Sequence, residues 1–145
     1  MTIVDKSALV PYSAEEMYAL VADIPAYGTF LPWCGGARIL EQQADRVVAV
    51  IDIAYKNIHK SFTTENRLVP GEKIGMNLLD GPFRYLRGQW SFTVLDAQAS
   101  KIGLHLEFEF ANMLVAMAMG PVFGGMADSM VDSFRRRAEQ VYGKR

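Results

Sequence analysis

The side chains best suited to acid–base or nucleophilic chemistry near neutral pH are two histidines, His59 and His105, and one cysteine, Cys34. His105 shares one face of a predicted strand with Glu107 and Glu109, a spacing that could serve a metal or acid–base site. The other face of that segment is entirely apolar, so we expect these three side chains to face water. His59 has no carboxylate at a suitable spacing, and Cys34 has no histidine near it in the sequence.

Enzyme motifs are also missing from the chain. It contains no Gly-x-Ser-x-Gly, His-Glu-x-x-His, P-loop or Gly-x-Gly-x-x-Gly string. Asp52 and Glu65 are the only strand acids that could serve a cyclase or hydrolase reaction. We therefore predict a protein that binds its target without catalysis and that requires no cofactor or metal.

One segment, from Phe110 to Ala127, carries no charge and contains four methionines, Met113, Met117, Met119 and Met126. Methionine is flexible and polarizable, and it suits surfaces that adapt to a ligand. Asn112 interrupts one end of the segment, and Gly120-Pro121 and Gly124-Gly125 interrupt the rest, which argues against a membrane span. We expect a helix that covers an apolar cavity, with an ordinary core helix as the alternative.

Length and charge narrow the class of protein. The chain has 145 residues and a net charge of −1, so we expect one domain, residues 1–145, with no general attraction for DNA. The single cysteine fits a reducing compartment. No signal sequence precedes the first predicted strand, so we expect a cytoplasmic protein or one at the cytoplasmic face of the inner membrane.

The pattern of apolar residues predicts an α+β fold. Alternation predicts strands at residues 3–10, 38–41, 47–55, 58–66, 74–78, 90–94 and 102–110. Two short helices follow the first strand: a capping box from Ser13 to Glu16 opens one, and Asp23 begins the other. A long helix from Met113 to Tyr142 ends the chain, and Pro121 should kink or divide it. A curved antiparallel sheet of about seven strands would grip that helix.

Candidate ligand-binding residues follow from the inward positions of the strands and the apolar face of the long helix. The predicted lining is Tyr55, Phe62, Met76, Trp90, Met113, Met117, Phe123, Met126 and Met130. Trp33 and Phe83 are predicted at the mouth of the cavity. For Phe83 we expect a tight turn that exposes its aromatic ring.

Two groups of basic residues are candidates for contact with a membrane or with RNA. Arg84 and Arg87 flank the predicted turn, where arginine and aromatic residues suit a membrane interface. Arg135, Arg136 and Arg137 lie near the end of the long helix. They could simply oppose the helix dipole, or bind lipid head groups or ribosomal RNA phosphates.

Strings along the whole chain carry a family resemblance. They include Tyr12-Ser13, Phe30-Leu31-Pro32-Trp33-Cys34, Gly81-Pro82-Phe83 and Gly120-Pro121-Val122-Phe123. With them, the chain resembles the coenzyme-Q-binding START-domain family of the polyketide cyclase/START-like superfamily. The resemblance implies a helix-grip, START-like fold.

The same resemblance implies a non-enzymatic function in one of two roles. Family members bind ubiquinone or a related polyprenyl lipid and act as quinone chaperones or carriers that support respiratory electron transport. A ribosome-directed bacterial branch shares the motifs, which implies binding to the large subunit and a block of subunit association. Because both branches share the motifs, the resemblance does not indicate which of the two roles this protein has.

Overall fold

A computed structural model describes residues Met1–Arg145, and it contains one seven-stranded antiparallel sheet. The strands are β1 (Thr2–Val10), β2 (Cys34–Gln42), β3 (Arg46–Tyr55), β4 (Ile58–Val69), β5 (Lys73–Asp80), β6 (Phe83–Asp96) and β7 (Ala99–Phe110). The helices are α1 (Ala14–Ala22), a 3₁₀ helix (Ile24–Thr29) and α2 (Met113–Tyr142).

The strand order is β1-β7-β6-β5-β4-β3-β2, so every strand from β2 onward pairs with its neighbour in sequence. Only β1 pairs out of sequence, with β7, so the first and last strands of the chain lie side by side. An antiparallel sheet can leave one face in water and bury the other. The helix α2 covers the buried face, which confirms the predicted α+β helix-grip architecture.

The capping box predicted at the start of the first helix is present in α1. Ser13 Oγ accepts from the Glu16 amide and Glu16 Oε1 accepts from the Ser13 amide, both at 3.0 Å. This reciprocal capping box satisfies two amides that the first turn would otherwise leave unpaired. The 3₁₀ helix follows at once, with a proline in its first turn.

The predicted exposed turn around Phe83 is wrong. Strand β6 already begins at this residue, and its ring is only 6% exposed. The chain reverses at Gly81, whose φ of +147° is open to glycine, and a Cβ there would lie 2.6 Å from the Cβ of Phe62. Because the reversal takes so few residues, Phe83 is already paired with Phe110 and packs in the core.

Pro121 does not divide α2. Asn112 caps the helix by accepting from the Val115 amide at 2.9 Å, and the helix then continues through the proline to Tyr142. Proline removes one backbone hydrogen bond. Met119 and Phe123, buried on either side of it, hold the adjoining turns against the sheet.

The second half of α2 is firmly attached to the rest of the fold. Phe134 is fully buried, and its ring lies 5.2 Å from Trp90, 5.4 Å from Tyr27 and 5.2 Å from Phe30, all measured between ring centroids. Edge-to-face aromatic contacts of this kind add to the burial of apolar area. The helix is therefore anchored at its C-terminal half.

Candidate ligand-binding site

A cavity of about 70 Å³ lies between α2 and the sheet. Sixteen residues line it, and 14 of them are hydrophobic. Seven of the predicted residues are among them: Trp33, Phe62, Met76, Trp90, Phe123, Met126 and Met130. The sheet and the helix therefore meet around an apolar space, as pockets for small apolar ligands require.

Nine further residues line the cavity without having been predicted. They are Ile24, Tyr27, Ile51, Thr64, Asn66, Leu86, Leu104, Leu106 and Ala127. The strand residues among them occupy the same alternating positions as the predicted ones, so the period of two could have found them. Ile24 and Tyr27 come from the 3₁₀ helix, whose position over the sheet has no signal in the sequence.

Met113 and Met117 do not line the cavity, contrary to the prediction. Their residues are 78% and 71% exposed. At 100° per residue they lie roughly 80° and 120° around the helix from buried Phe123. Their side chains therefore face solvent, although they belong to the same methionine-rich segment as Met126.

Tyr55 and Phe83 also lie elsewhere than predicted. Tyr55 ends β3, is 39% exposed and does not line the cavity. Phe83 lies at no mouth: its ring packs 4.9 Å from Phe123 and stacks 5.4 Å from Phe110, between ring centroids. These phenylalanines fill the space beneath the first half of α2.

An outer groove of about 340 Å³ lies beside the cavity. Its lining includes Tyr55 and Lys56 from the β3–β4 hairpin and Pro121 and Gly125 from α2. Trp33 and Met126 line both the groove and the cavity, so they form the wall between the two. Trp33, predicted at the mouth, is located at this boundary.

The cavity contains few polar groups. Thr64 Oγ1 donates to Asn66 Oδ1 at 2.8 Å, and Tyr27 Oη donates to the carbonyl of Val21. Burial raises the pKa of Tyr27, so this phenol stays neutral. Trp33 Nε1 is buried without a hydrogen-bond partner. The lining can bind apolar groups and donate hydrogen bonds, but it carries no charge.

The residues considered for acid–base chemistry lie elsewhere. His105 is exposed, with Nε2 2.9 Å from Glu107 Oε2 and Nδ1 3.3 Å from Asp5 Oδ2. Hydrogen bonds to Glu107 and then Asp5 raise its pKa. His59 is exposed, and Cys34 is a buried thiol whose pKa is raised by desolvation. None of the three lines the cavity.

The two strand acids also point away from the cavity. Asp52 accepts from the Ser61 hydroxyl at 2.5 Å and lies 3.5 Å from Arg38, while Glu65 forms ion pairs with Arg46 and Arg67. Their surroundings are those of solvated ion pairs on the outer face of the sheet. No group of three histidine, cysteine or acidic residues could hold a metal ion.

The arginines predicted to contact a membrane or RNA also contact other residues of this protein. Arg135 pairs with Asp132 at 2.7 Å and Arg136 pairs with the same carboxylate at 2.8 Å. The Arg137 guanidinium lies 5.0 Å from the centroid of the Phe30 ring. On β6, Arg84 lies 3.8 Å from Glu109 and Arg87 lies 5.4 Å from the Tyr85 ring centroid. Arg136, with 70% of its side chain exposed, is the most exposed of the three arginines on α2.

The first turns of α2 form an exposed apolar surface made of Met113, Leu114 and Met117. These residues are 78%, 79% and 71% exposed. By length and composition α2 could cross a membrane, yet it packs on the sheet through Phe123 and Phe134. Only 28% of its most apolar 18-residue stretch is buried, which leaves this surface in contact with solvent.

Relatives of this chain carry two kinds of name. It is 49% identical to the ribosome association toxin RatA of Vibrio cholerae over 144 residues, which cover 99% of this chain and all of the relative. Identity to the Escherichia coli protein of the same name is 48%, covering 100% and 92% of the two chains. The mitochondrial coenzyme Q-binding protein COQ10 homolog B of Xenopus laevis is 25% identical, covering 96% of this chain and 59% of the relative.

Solved structures share the fold. The Zhui aromatase/cyclase from Streptomyces sp. R1128 superposes with a TM-score of 0.83 at 18% identity, covering 96% and 94% of the two chains. A START superfamily protein from Mycobacterium smegmatis gives 0.79 at 21% identity, covering 96% and 98%. The family model for polyketide cyclase / dehydrase and lipid transport matches residues 10–135. The cavity, the gripped helix and these matches agree: the chain belongs to the polyketide cyclase / dehydrase and lipid transport family.

Proposed function

We propose that this protein binds a polyprenyl quinone such as ubiquinone, or a related polyprenyl lipid, without catalysis, and carries it for respiratory electron transport. The observation that carries the proposal is the apolar cavity beneath α2, with 14 hydrophobic residues among its 16. A polyprenyl chain has little to hydrogen-bond, so burial supplies its affinity. Each buried CH₂ group contributes about 0.8 kcal/mol. The relative named as coenzyme Q-binding supports the same ligand class.

The first half of α2 is the part that can move to admit such a ligand. At about 70 Å³ the cavity is smaller than a quinone with its tail. A Cβ placed at Gly124 or Gly125 would meet nothing within 4 Å, so no neighbouring atom fills the space beside these two positions, and Gly125 lines the outer groove. We expect Trp33 and Met126 to part and join the cavity to the outer groove, with the head group inside and the tail along the groove.

The exposed apolar surface at the start of α2 supports a bilayer as the source of the ligand. Met113, Leu114 and Met117 would enter the acyl boundary of the membrane. Lys56, at the tip of the β3–β4 hairpin, adjoins the outer groove and would meet an anionic head group. The ligand would then pass from the bilayer into the groove without crossing water.

Lipid extraction and mass spectrometry of the protein purified from its bacterial host test this proposal. We expect a prenylated quinone or polyprenyl lipid in a constant molar ratio to protein. The same extraction from an unrelated protein purified in parallel sets the background. Extracts that contain no apolar molecule above this background would contradict lipid binding.

A second candidate function is association with the large ribosomal subunit that blocks subunit joining. Relatives named ribosome association toxin, at 49% and 48% identity over nearly the full chain, favour it. Of the helical arginines, Arg136 is the most exposed and the best placed to meet an RNA phosphate. Sedimentation through a sucrose gradient at low salt tests it: co-migration with large subunits supports the role, and protein that stays at the top contradicts it.

A further inference from the structure

Two polar side chains face the cavity from β4, where the alternation would ordinarily place apolar residues. Of 36 buried residues only three are polar: Thr64, Asn66 and Ser100. Ser100 is accounted for structurally, because its hydroxyl donates to the Tyr12 carbonyl at 2.9 Å. Thr64 and Asn66, only 3% and 6% exposed, both line the cavity.

The surroundings of Asn66 offer its amide no polar partner beyond Thr64. Across the sheet Asn66 pairs with Val47 on β3 and Met76 on β5, which are both apolar. Its one side-chain hydrogen bond is the one that Oδ1 accepts from Thr64 Oγ1 at 2.8 Å. The amide nitrogen, with two hydrogens, therefore remains able to donate into the cavity.

Trp33 presents a second such donor. Its Nε1–H is the only fully buried side-chain nitrogen or oxygen without a hydrogen-bond partner. Trp33 lies on the wall that the cavity shares with the outer groove, whereas Asn66 lines both the central cavity and a second one of about 80 Å³ near α1. A buried donor without an acceptor costs free energy, so the indole N–H suits a ligand oxygen that reaches it when Trp33 and Met126 part. The Asn66 amide provides the second donor in the lining.

We propose that the Asn66 amide and Trp33 Nε1–H select ligands whose head group is neutral and bears carbonyl or ether oxygens. This rests on the proposed lipid-binding function and specifies its ligand class. Both free groups are donors, so they favour acceptor oxygens over hydrocarbon. No lysine, arginine or histidine lines the cavity, so a carboxylate or phosphate head group would be buried without a counter-charge. The head group lies between the Asn66 amide and the indole N–H of Trp33, and the tail leaves beside Met126 into the outer groove.

Two probes of similar shape and different polarity test this selection: decylubiquinone and decylbenzene. Each is titrated against the purified full chain in competition with the fluorescent apolar probe N-phenyl-1-naphthylamine. We expect Asn66→Leu, which replaces the amide with an apolar group of similar size, to weaken decylubiquinone binding about fivefold to tenfold. Its binding of decylbenzene should change less than about twofold.

Trp33→Phe removes the indole donor, together with part of the ring, while keeping an aromatic side chain, and it provides an independent variant if Asn66→Leu folds poorly. It should weaken quinone binding in the same selective way. Ile51→Val, which trims the lining without touching a polar group, is the matched control and should alter both affinities by the same factor.

The outcomes separate this inference from the proposed function. Equal losses for both probes in Asn66→Leu and Trp33→Phe, or no loss for either, would overturn the selection while leaving apolar ligand binding intact. Wild-type protein that binds neither probe would overturn the proposed function itself. A selective loss of quinone affinity supports both.

Discussion

Arg145 binds both carboxylate oxygens of Glu16, at 2.7 and 2.8 Å, and so ties the last residue of the chain to the first turn of α1. Two tyrosines reinforce this connection: Tyr12 Oη donates to the Gly143 carbonyl at 2.6 Å and Tyr142 Oη donates to the Glu16 carbonyl at 2.9 Å. The C-terminal end of α2 is therefore held against the start of α1. We expect any opening of the cavity to involve the N-terminal half of α2, which these contacts do not hold.

This connection predicts a pH-dependent stability. The Arg145 hydrogen bonds, with help from Ser13, lower the pKa of Glu16 from 4.5 to about 2. A carboxyl group whose pKa is lowered by folding stabilises the protein above its unfolded pKa, and this contribution is lost as the pH falls from about 4.5 towards 2. Glu16→Gln should lower the free energy of unfolding by about 1 kcal/mol at pH 6.

Urea unfolding of the wild type and of Glu16→Gln at several pH values measures the effect. We expect the two curves to converge as the pH approaches 2. Glu15→Gln removes the same charge from an exposed neighbour without an ion pair and serves as the control. A difference between wild type and Glu16→Gln that is constant with pH would show that Glu16 acts without its charge.

Ala127→Leu should reduce ligand retention by filling the cavity. Ala127 is 3% exposed and lies in the lining contributed by α2. A larger side chain there takes the space of the ligand, at a cost in stability of about 1–3 kcal/mol from overpacking. Ala118→Leu, on the exposed side of the same helix, should change neither property. Quantitative mass spectrometry of co-purified lipid decides, and full retention in a folded Ala127→Leu variant would be inconsistent with a ligand at this position.

Replacing Met113, Leu114 and Met117 with serine should weaken membrane binding. Each residue is more than 70% exposed, so the change should leave folding stability within about 0.5 kcal/mol. Loss of three apolar anchors should reduce binding to phosphatidylglycerol-containing vesicles by about tenfold or more. Vesicle co-sedimentation measures this.

Three exposed apolar residues elsewhere provide a matched control for the membrane prediction. Leu9, Val94 and Leu95 are 71%, 67% and 53% exposed, and they lie at the far ends of β1 and β6. Their replacement with serine should leave vesicle binding unchanged. Equal losses in the two triple variants would argue against a specific membrane-facing surface.

Arg136→Glu should weaken association with large ribosomal subunits if that second function holds. A lost phosphate contact reduces the dependence of log affinity on log salt by about one unit. Gradient sedimentation at several salt concentrations measures both affinity and slope. Lys101→Glu, an equal charge reversal at an exposed position on β7, is the control. Unchanged co-sedimentation of Arg136→Glu would exclude Arg136 from the contact.

Much of the cavity could be predicted from the alternation along the strands. Phe62, Met76 and Trp90 occupy inward positions in the sequence pattern and in the structure. The same alternation places Thr64 and Asn66 on the inward face of β4 with Phe62, but the predicted lining did not include them. A search for apolar residues alone therefore misses the two polar side chains in this lining.

The order of elements, the capping box of α1, the extent of α2 and the apolar character of the cavity were determined by the sequence alone. These depend on local periodicity and on backbone hydrogen bonds a few residues apart. Only the tertiary structure decided that Met126 faces the cavity while Met117 faces solvent, and that Phe83 is buried. A helix that is apolar on all sides has no local signal for its orientation. The contacts of Phe123 and Phe134 with distant strands set that rotation, and through it the residues that enclose the cavity.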